Sequence, residues 1–329
     1  MKNRSISFIN AIHKCQVSRI PNHLLSTITQ YQVHFLINLI HSIISAGSLT
    51  LNSEALTNSF KLHRESKFKN NIITFDNLLE LIDCNKDKAK LTLYTSGTTG
   101  QPKEIIHNIE SLIRNVKTNE KHKNDVWGLA YSPIHMAGLQ VFFQALFNNN
   151  TIVQIFNLTK NQIHESISKY NITHISATPT YFRMMLDRKR IHKSVKRITT
   201  GGENCDMSLV KSLNKMFPNA EFRNIYASTE AATLFESNSE IFQLNSKIKD
   251  KVKINNGELF IHKDLLANSM TENYKSELWY ATGDLVEVIN HTPLSFKFIG
   301  RKNEMINVGG YKVNPEKVEL RSEEHTSEL

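Results

Sequence analysis

At 329 residues, with 40% hydrophobic and 22% charged side chains, the chain can bury a substantial core, and it has the balance of a soluble globular protein of two domains, or of one large domain with an attachment. A formal net charge of +9 favours anionic partners such as ATP, CoA or nucleic acid. The basic residues are scattered, however, and even the densest stretch, 183–197 around Arg188-Lys189-Arg190, lacks the aromatic interleaving of a base-stacking surface, so nucleic acid is not an expected partner.

Residues 1–20 lack a hydrophobic signal core, and the most apolar window, 33–46, is broken by His34, Asn38 and His41 and is too short to span a bilayer. From 89 to about 226, β-branched runs at 90–94, 126–131, 151–156, 173–177, 196–200 and 221–226 read as strands. Helical spacing separates them, as in Ile105, Ile109, Leu112, Ile113 and Val116, and again in Leu209, Leu213 and Met216. Strands alternating with helices predict βαβ units and a mostly parallel sheet covered on both faces, an α/β core over about 89–250. Beyond 250 the runs 257–262, 278–280, 285–289 and 296–299 alternate apolar and polar residues, which predicts a small antiparallel β subdomain over about 251–299. The cysteines, Cys15, Cys84 and Cys205, are odd in number and without CxxC spacing. They read as reduced thiols of a cytoplasmic protein, with no disulfide framework or cysteine-based zinc site.

The most specific run is Tyr94-Thr95-Ser96-Gly97-Thr98-Thr99-Gly100-Gln101-Pro102-Lys103. Glycines let successive backbone N–H groups turn towards one anion, hydroxyls add short donors, and Lys103 adds charge. It is not a Walker A loop, because Gln101-Pro102 separates the glycine from the lysine. Two further clusters, Gly201-Gly202-Glu203 and Ser228-Thr229-Glu230, also follow predicted strands. All three are therefore expected at the carboxyl ends of strands along one sheet edge, where open α/β sheets bind ligands.

The phosphate-loop run resembles that of the adenylate-forming superfamily of acyl-CoA synthetases, luciferases and nonribosomal adenylation domains. In matching order, Asn224-Ile225-Tyr226-Ala227-Ser228-Thr229-Glu230 resembles its Asn-x-Tyr-Gly-x-Thr-Glu segment, and Thr282-Gly283-Asp284 its Thr-Gly-Asp segment. Gly300-Arg301-Lys302-Asn303-Glu304-Met305-Ile306 resembles the hinge, and Gly309 to Val313 with Pro315 and Glu319 the start of the mobile C-terminal domain. The resemblance implies an AMP-binding N-terminal domain over 1–299, a hinge at 300–304, the beginning of an α+β C-terminal domain at 305–320, and ATP-dependent activation of a carboxylic acid to acyl-AMP followed by transfer to a thiol, CoA or that of a carrier protein. It further implies that Thr95, Ser96, Gly97, Thr98, Thr99, Gly100 and Lys103 hold the β- and γ-phosphates and that Ser228 and Thr229 face them. Glu230 would ligate Mg²⁺. Gly201, Gly202 and Glu203, with Asn224, Tyr226 and Ala227, would frame the adenine and neighbouring acid, while Asp284 and Arg301 would hold the ribose.

Pro133-Ile134-His135-Met136-Ala137-Gly138 resembles the Pro-x-x-His-x-x-Gly segment of acyl- and aryl-CoA ligases, in which the histidine borders the acid pocket; no Phe-Asp pair stands there to receive an ammonium, which favours a plain acid. Met136 and Val141 fit a pocket wall or a helix core equally, and Phe142 and Phe143 read as core. Taken singly, Glu230 also reads as a helix N-terminal acid, Asp284 as a turn residue, Arg301 as a surface charge and Tyr226 as strand core. The chain departs from the family pattern at Ala227, which stands at the usual glycine, and at Asn303, which stands at the usual acidic or lysine pivot. The run Arg321-Ser322-Glu323-Glu324-His325-Thr326-Ser327-Glu328-Leu329 fits nothing before it and reads as a foreign tail on a truncated polypeptide. The competing expectations are a nucleotide-binding remnant without turnover and, less favoured, a basic nucleic-acid-binding protein.

Overall fold

The computed structural model describes residues 48–51, 75–95, 103–244, 246, 248–267, 278–302, 306–308 and 311–313. The first sheet has three strands in the order β1 (Ser48–Leu51), β2 (Lys90–Thr95) and β3 (Lys103–Asn108), the first pair parallel and the second antiparallel. The second has six strands: β4 (Val126–Leu129), β5 (Thr151–Gln154), β6 (His174–Ala177), β7 (Arg197–Gly201), β8 (Glu221–Ser228) and β9 (Ala232–Ser237). Their order is β5-β4-β6-β7-β8-β9, parallel throughout except for the β8–β9 hairpin. The third is antiparallel, ordered β10-β14-β13-β12-β11, from β10 (Ile241–Gln243), β11 (Val252–Asn255), β12 (Glu258–His262), β13 (Trp279–His291) and β14 (Leu294–Arg301). A last hairpin pairs β15 (Ile306–Val308) with β16 (Tyr311–Val313).

Six helices, α1 (Phe75–Asn85), α2 (Ile109–Ile113), α3 (Met136–Phe147), α4 (Lys160–Tyr170), α5 (Pro179–Met185) and α6 (Met207–Met216), join these strands. Their starts are written locally. Thr159 and Gln162 form a reciprocal capping box on α4, Thr178 caps α5 with Pro179 in its first turn, and Asp206 accepts from the Leu209 N–H at 2.8 Å to cap α6. Helix α3 is apolar on nearly every side because it lies between two sheets. Leu139, Phe142, Phe143 and Leu146 pack with Leu91 and Leu93 of β2, while Val141 and Ala145 pack with Trp127 and Leu129 of β4. Helices α4 to α6 pack Ile163, Ile167, Phe182, Leu209 and Leu213 against the six-stranded sheet, so both of its faces are covered as expected. Among the described residues no helix is long and apolar enough to cross a membrane.

Three expectations change. Ile105 lies on β3 and not on a helix: Ile105-Ile106 are β-branched, and the chain returns from the glycine-rich loop to pair back on β2, leaving only Ile109–Ile113 helical. As a result β2 belongs to a separate sheet, and the phosphate-loop run does not share the parallel sheet's edge with the other two clusters. The antiparallel sheet also begins earlier than 251, since β10 supplies its edge strand from Ile241.

Candidate active site

The six-stranded sheet reverses direction at β4, with β5 on one side and β6 on the other, so a crevice is expected outside the carboxyl ends of these strands. His135 lies in the segment leaving β4. It is exposed, precedes α3 and makes no side-chain capping bond, which removes the core reading of this histidine. Gly138 fixes how closely α3 approaches that segment: a Cβ there would stand 2.2 Å from the Ser132 carbonyl oxygen. Met136, Val141, Phe142 and Phe143 are buried in the core, so the pocket-wall reading of Met136 and Val141 is not upheld; the helix they share is enclosed by two sheets.

At the end of β7, the Tyr131 hydroxyl donates to the Gly201 carbonyl at 3.5 Å. Gly201 also lets β8 come close, since a Cβ would meet the Ile225 side chain at 2.7 Å, and Gly202 takes a left-handed φ of 84°. The Glu203 carboxylate accepts from the Thr180 N–H at 2.9 Å and its hydroxyl at 2.7 Å, tying the β7 loop to α5. Asn224 is buried. Its amide accepts from Thr200 at 3.2 Å and donates to the Ser239 carbonyl at 3.2 Å, so it cross-links strands and its side chain does not stand ready for an adenine.

Tyr226, Asp284 and Arg301 come from three strands and meet. The Tyr226 hydroxyl donates to Asp284 Oδ2 at 2.5 Å, and Arg301 Nε donates to Oδ1 at 2.8 Å. The Tyr226 ring stacks on Phe298 with centroids 4.5 Å apart and on Phe235 at 5.5 Å. Burial, reinforced by the neighbouring Asp284 charge, pushes its hydroxyl far above the ordinary tyrosine range, so it stays a donor. A carboxylate has about four lone-pair directions, so one on each Asp284 oxygen remains for a ligand hydroxyl. The turn-residue reading of Asp284 gives way: it is buried within β13, where Gly283 takes φ 77°. The Gly283 N–H donates to Glu258 at 3.1 Å, and Lys302 reaches the same carboxylate at 3.0 Å.

Thr229 and Glu230 sit in the tight turn between β8 and β9, so Glu230 is not at a helix N-terminus. Successive carbonyls of that turn are each claimed by a different element. His107 Nε2 on β3 donates to the Thr229 carbonyl at 2.6 Å, Ala267 N–H donates to Glu230 at 2.7 Å, and the Arg114 guanidinium bonds to Ala231. Asn115 takes the Thr233 carbonyl at 2.8 Å, and Ser228 Oγ accepts from the Ala231 N–H at 3.2 Å. Burial holds the His107 imidazole neutral, down at about 4, so only one ring nitrogen carries a proton. A carbonyl can only accept, so that proton is on Nε2; the Ser111 hydroxyl stands 3.0 Å from Nδ1 and 2.9 Å from the Asn108 carbonyl, with one proton for the two acceptors. His107 escaped the sequence reading; the signal available was a histidine on the strand that opens with Lys103. Ala227 keeps a negative φ beside a register shift at Tyr226/Ala227, and the left-handed residue of this hairpin is Ala232 (φ 55°), so the missing glycine is accommodated.

Thr95 and Lys103 are register partners at the loop end of the β2–β3 hairpin. Ser96, Gly97, Thr98, Thr99 and Gly100 lie outside the described residues, as do Asn303, Glu304 and residues 314–329. Through β3 and His107 this mouth is bolted to the Thr229–Glu230 turn, and through β8 that turn continues to Tyr226 and Asp284. Cys205 is buried and its thiol is pushed up to about 11, which suits core and not a nucleophile.

The family model described as AMP-binding enzyme matches residues 40–260, and the chain belongs to that family. Among curated proteins it is 27% identical over 293 residues to a plipastatin synthase of Bacillus subtilis, covering 74% of this chain and 11% of that one. It is 22% identical to 2-succinylbenzoate–CoA ligase of Staphylococcus epidermidis, covering 96% of this chain and 70% of that one. The solved O-succinylbenzoate coenzyme A synthetase of Bacillus subtilis in complex with AMP superposes with a TM-score of 0.54 at 21% identity, over 70% of this chain and 53% of that one. The chain thus spans about half of that structure and a small part of the multidomain synthases.

Proposed function

We propose that this chain carries the nucleotide- and acid-binding part of an adenylate-forming acid–thiol ligase: residues 1–299 bind ATP and a plain carboxylic acid, 300–304 form the pivot, and 305–320 open the C-terminal domain. A carboxylate oxygen attacks the α-phosphorus of ATP, an oxygen–phosphorus bond forms, the bond to the β-phosphate breaks, and pyrophosphate leaves. The acyl-AMP is then taken by a thiol, CoA in the preferred reading. The observation that carries this is the continuous line from the Lys103 hairpin mouth through His107 to the Thr229–Glu230 turn and on to the Tyr226–Asp284–Arg301 cluster.

On this reading Asp284, oriented by Tyr226 and Arg301, accepts the ribose hydroxyls, and the backbone at Gly201–Glu203 borders the adenine. Thr95, Thr229 and Lys103, with the hydroxyls and N–H groups of Ser96 to Gly100, hold the phosphates; such catalysis is mostly positioning and electrostatics. Glu230 fits Mg²⁺. It is a hard oxygen donor on a rigid, half-buried turn, and among the described residues no side chain pairs with its carboxylate. When bound, the ion offsets phosphate charge. His135, exposed outside β4, borders the acid, and the absence of an aspartate beside it favours an acid without an ammonium group.

The test is ATP–pyrophosphate exchange with a panel of short, fatty, aromatic and amino acids, alongside calorimetric AMP binding. Exchange stimulated by a plain acid, with AMP affinity reduced in Asp284→Ala, is expected. AMP binding that is absent, or unchanged in Asp284→Ala, refutes the proposal.

A further inference from the structure

Three buried side chains meet at the opposite, amino-terminal edge of the six-stranded sheet. His122 closes a short turn ahead of β4, Asp125 directly precedes β4, and His174 opens the neighbouring β6. They are only 6%, 5% and 5% exposed. His122 Nδ1 stands 2.8 Å from Asp125 Oδ2, His174 Nε2 stands 3.6 Å from the same oxygen, and one ligand atom from each residue lies within 4.8 Å of the others.

Hydrogen bonds orient the rings of this cluster. The Thr173 hydroxyl accepts from the Val126 N–H at 2.8 Å and stands 3.2 Å from the Val126 carbonyl, which already accepts from the Thr173 N–H at 2.9 Å. The same hydroxyl stands 2.9 Å from His174 Nδ1 and holds that ring with Nε2 towards Asp125. With the ring proton on Nδ1, Nε2 offers a lone pair beside the Asp125 carboxylate, two donor atoms for one cation. His122 Nε2 is buried and without a partner among the described residues.

We propose that His122, Asp125 and His174 form a structural site for a divalent transition-metal ion, with zinc as the natural occupant. Two imidazoles and a carboxylate suit Zn²⁺ and not Mg²⁺ or Ca²⁺, which favour all-oxygen sites. Tetrahedral zinc with bonds of about 2.0–2.1 Å spaces its ligands about 3.4 Å apart, within the spread of the separations here. The Thr173 bond to His174 Nδ1 is the outer support that metal-bound histidines characteristically have. Because all three ligands are buried, the ion reaches no substrate; it ties the entry of β4 to that of β6.

The experiment uses the whole chain after dialysis against a chelator. Titration with Zn²⁺ against a chromophoric competitor, with Co²⁺ absorption as a spectroscopic probe and Mg²⁺ as control, reads affinity and stoichiometry. One Zn²⁺ per chain is expected, with a thermal midpoint raised by several degrees. Affinity should fall at least about tenfold in Asp125→Asn, which keeps an acceptor for His122, and in His174→Gln, while His164→Gln retains it. X-ray absorption of the zinc-loaded wild type should give nitrogen and oxygen neighbours only. No saturable zinc binding to the wild type, affinity unchanged in both folded variants, or sulfur among the neighbours would each overturn the site.

Discussion

Replacing His107 tests whether the Thr229–Glu230 turn is held from β3. His107→Ala removes the donor to the Thr229 carbonyl and leaves that acceptor unsatisfied, worth about 1–3 kcal/mol, and it empties the volume of a ring only 1% exposed. A total loss of about 3 kcal/mol is expected in urea denaturation at pH 7.5. His107→Gln is the control, because its amide N–H falls near the position of Nε2; it should lose less than about 1 kcal/mol. The ring also carries a pH signature. Its folded value, about 4, lies below its ordinary 6.5, so the unfolded chain takes the proton first. The stability it contributes is complete above about pH 6.5 and is lost as pH falls towards about 4. Between pH 7.5 and 5.5 that loss is about 1.4 kcal/mol by proton linkage. Other buried histidines, His174 and His192, titrate in the same window, but they are shared by wild type and His107→Gln and cancel in the difference. The wild type should therefore lose about 1.4 kcal/mol more than His107→Gln between these pH values. Parallel profiles for the two proteins, or a His107→Ala variant as stable as wild type, would show that the histidine does not bolt the turn.

Gly138→Ala should cost about 2–3 kcal/mol in denaturation, because its Cβ would overlap the backbone of Ser132 and Pro133, which cannot yield as a side-chain tip can; a loss under 1 kcal/mol would mean that α3 is not seated so closely. Tyr226→Phe removes one donor from the buried Asp284 carboxylate, and calorimetry should show AMP binding weakened about tenfold, with unchanged affinity counting against a role for the hydroxyl in orienting that carboxylate. Thr159→Ala breaks the capping box of α4 and should cost about 1 kcal/mol, read as a lower thermal midpoint and faster amide exchange confined to the first turn of that helix.

The parallel strands were legible because each is a short β-branched run fenced by helical patterning; β4 to β8 start within one residue of the expected positions. Where the reading failed, a local pattern served two structures equally. Ile105 and Ile109 stand four apart as on a helix face, yet Ile105 is on a strand and Ile109 opens a helix. Ala281-Thr282-Gly283-Asp284 has turn composition, yet it lies inside the thirteen-residue β13, where the irregular pairing around Glu258 and Phe260 absorbs it. β9 and β10 gave no separate signal, since their lengths are set by the partners they pair with and not by their own composition.

The site was legible to the extent that its chemistry is written in consecutive residues. Thr229-Glu230 and Thr282-Gly283-Asp284 could be picked out, because each is a run of small and acidic residues next to each other, the first in a turn and the second inside β13. The residues that hold the Thr229–Glu230 turn were not recognisable. His107 is 122 positions from its carbonyl and Arg114 is 117 from Ala231. Each looks ordinary where it stands: a histidine in a strand, an arginine after a helix. What assigns them is that a tight turn exposes carbonyls it cannot satisfy itself, and in a buried setting each must find a donor elsewhere. Once β8 and β9 are known to join in such a turn, the accounting forces donors from β3, from the end of α2 and from Ala267. Stability of the turn and geometry at Glu230 then become one property, carried by residues that need never touch a ligand.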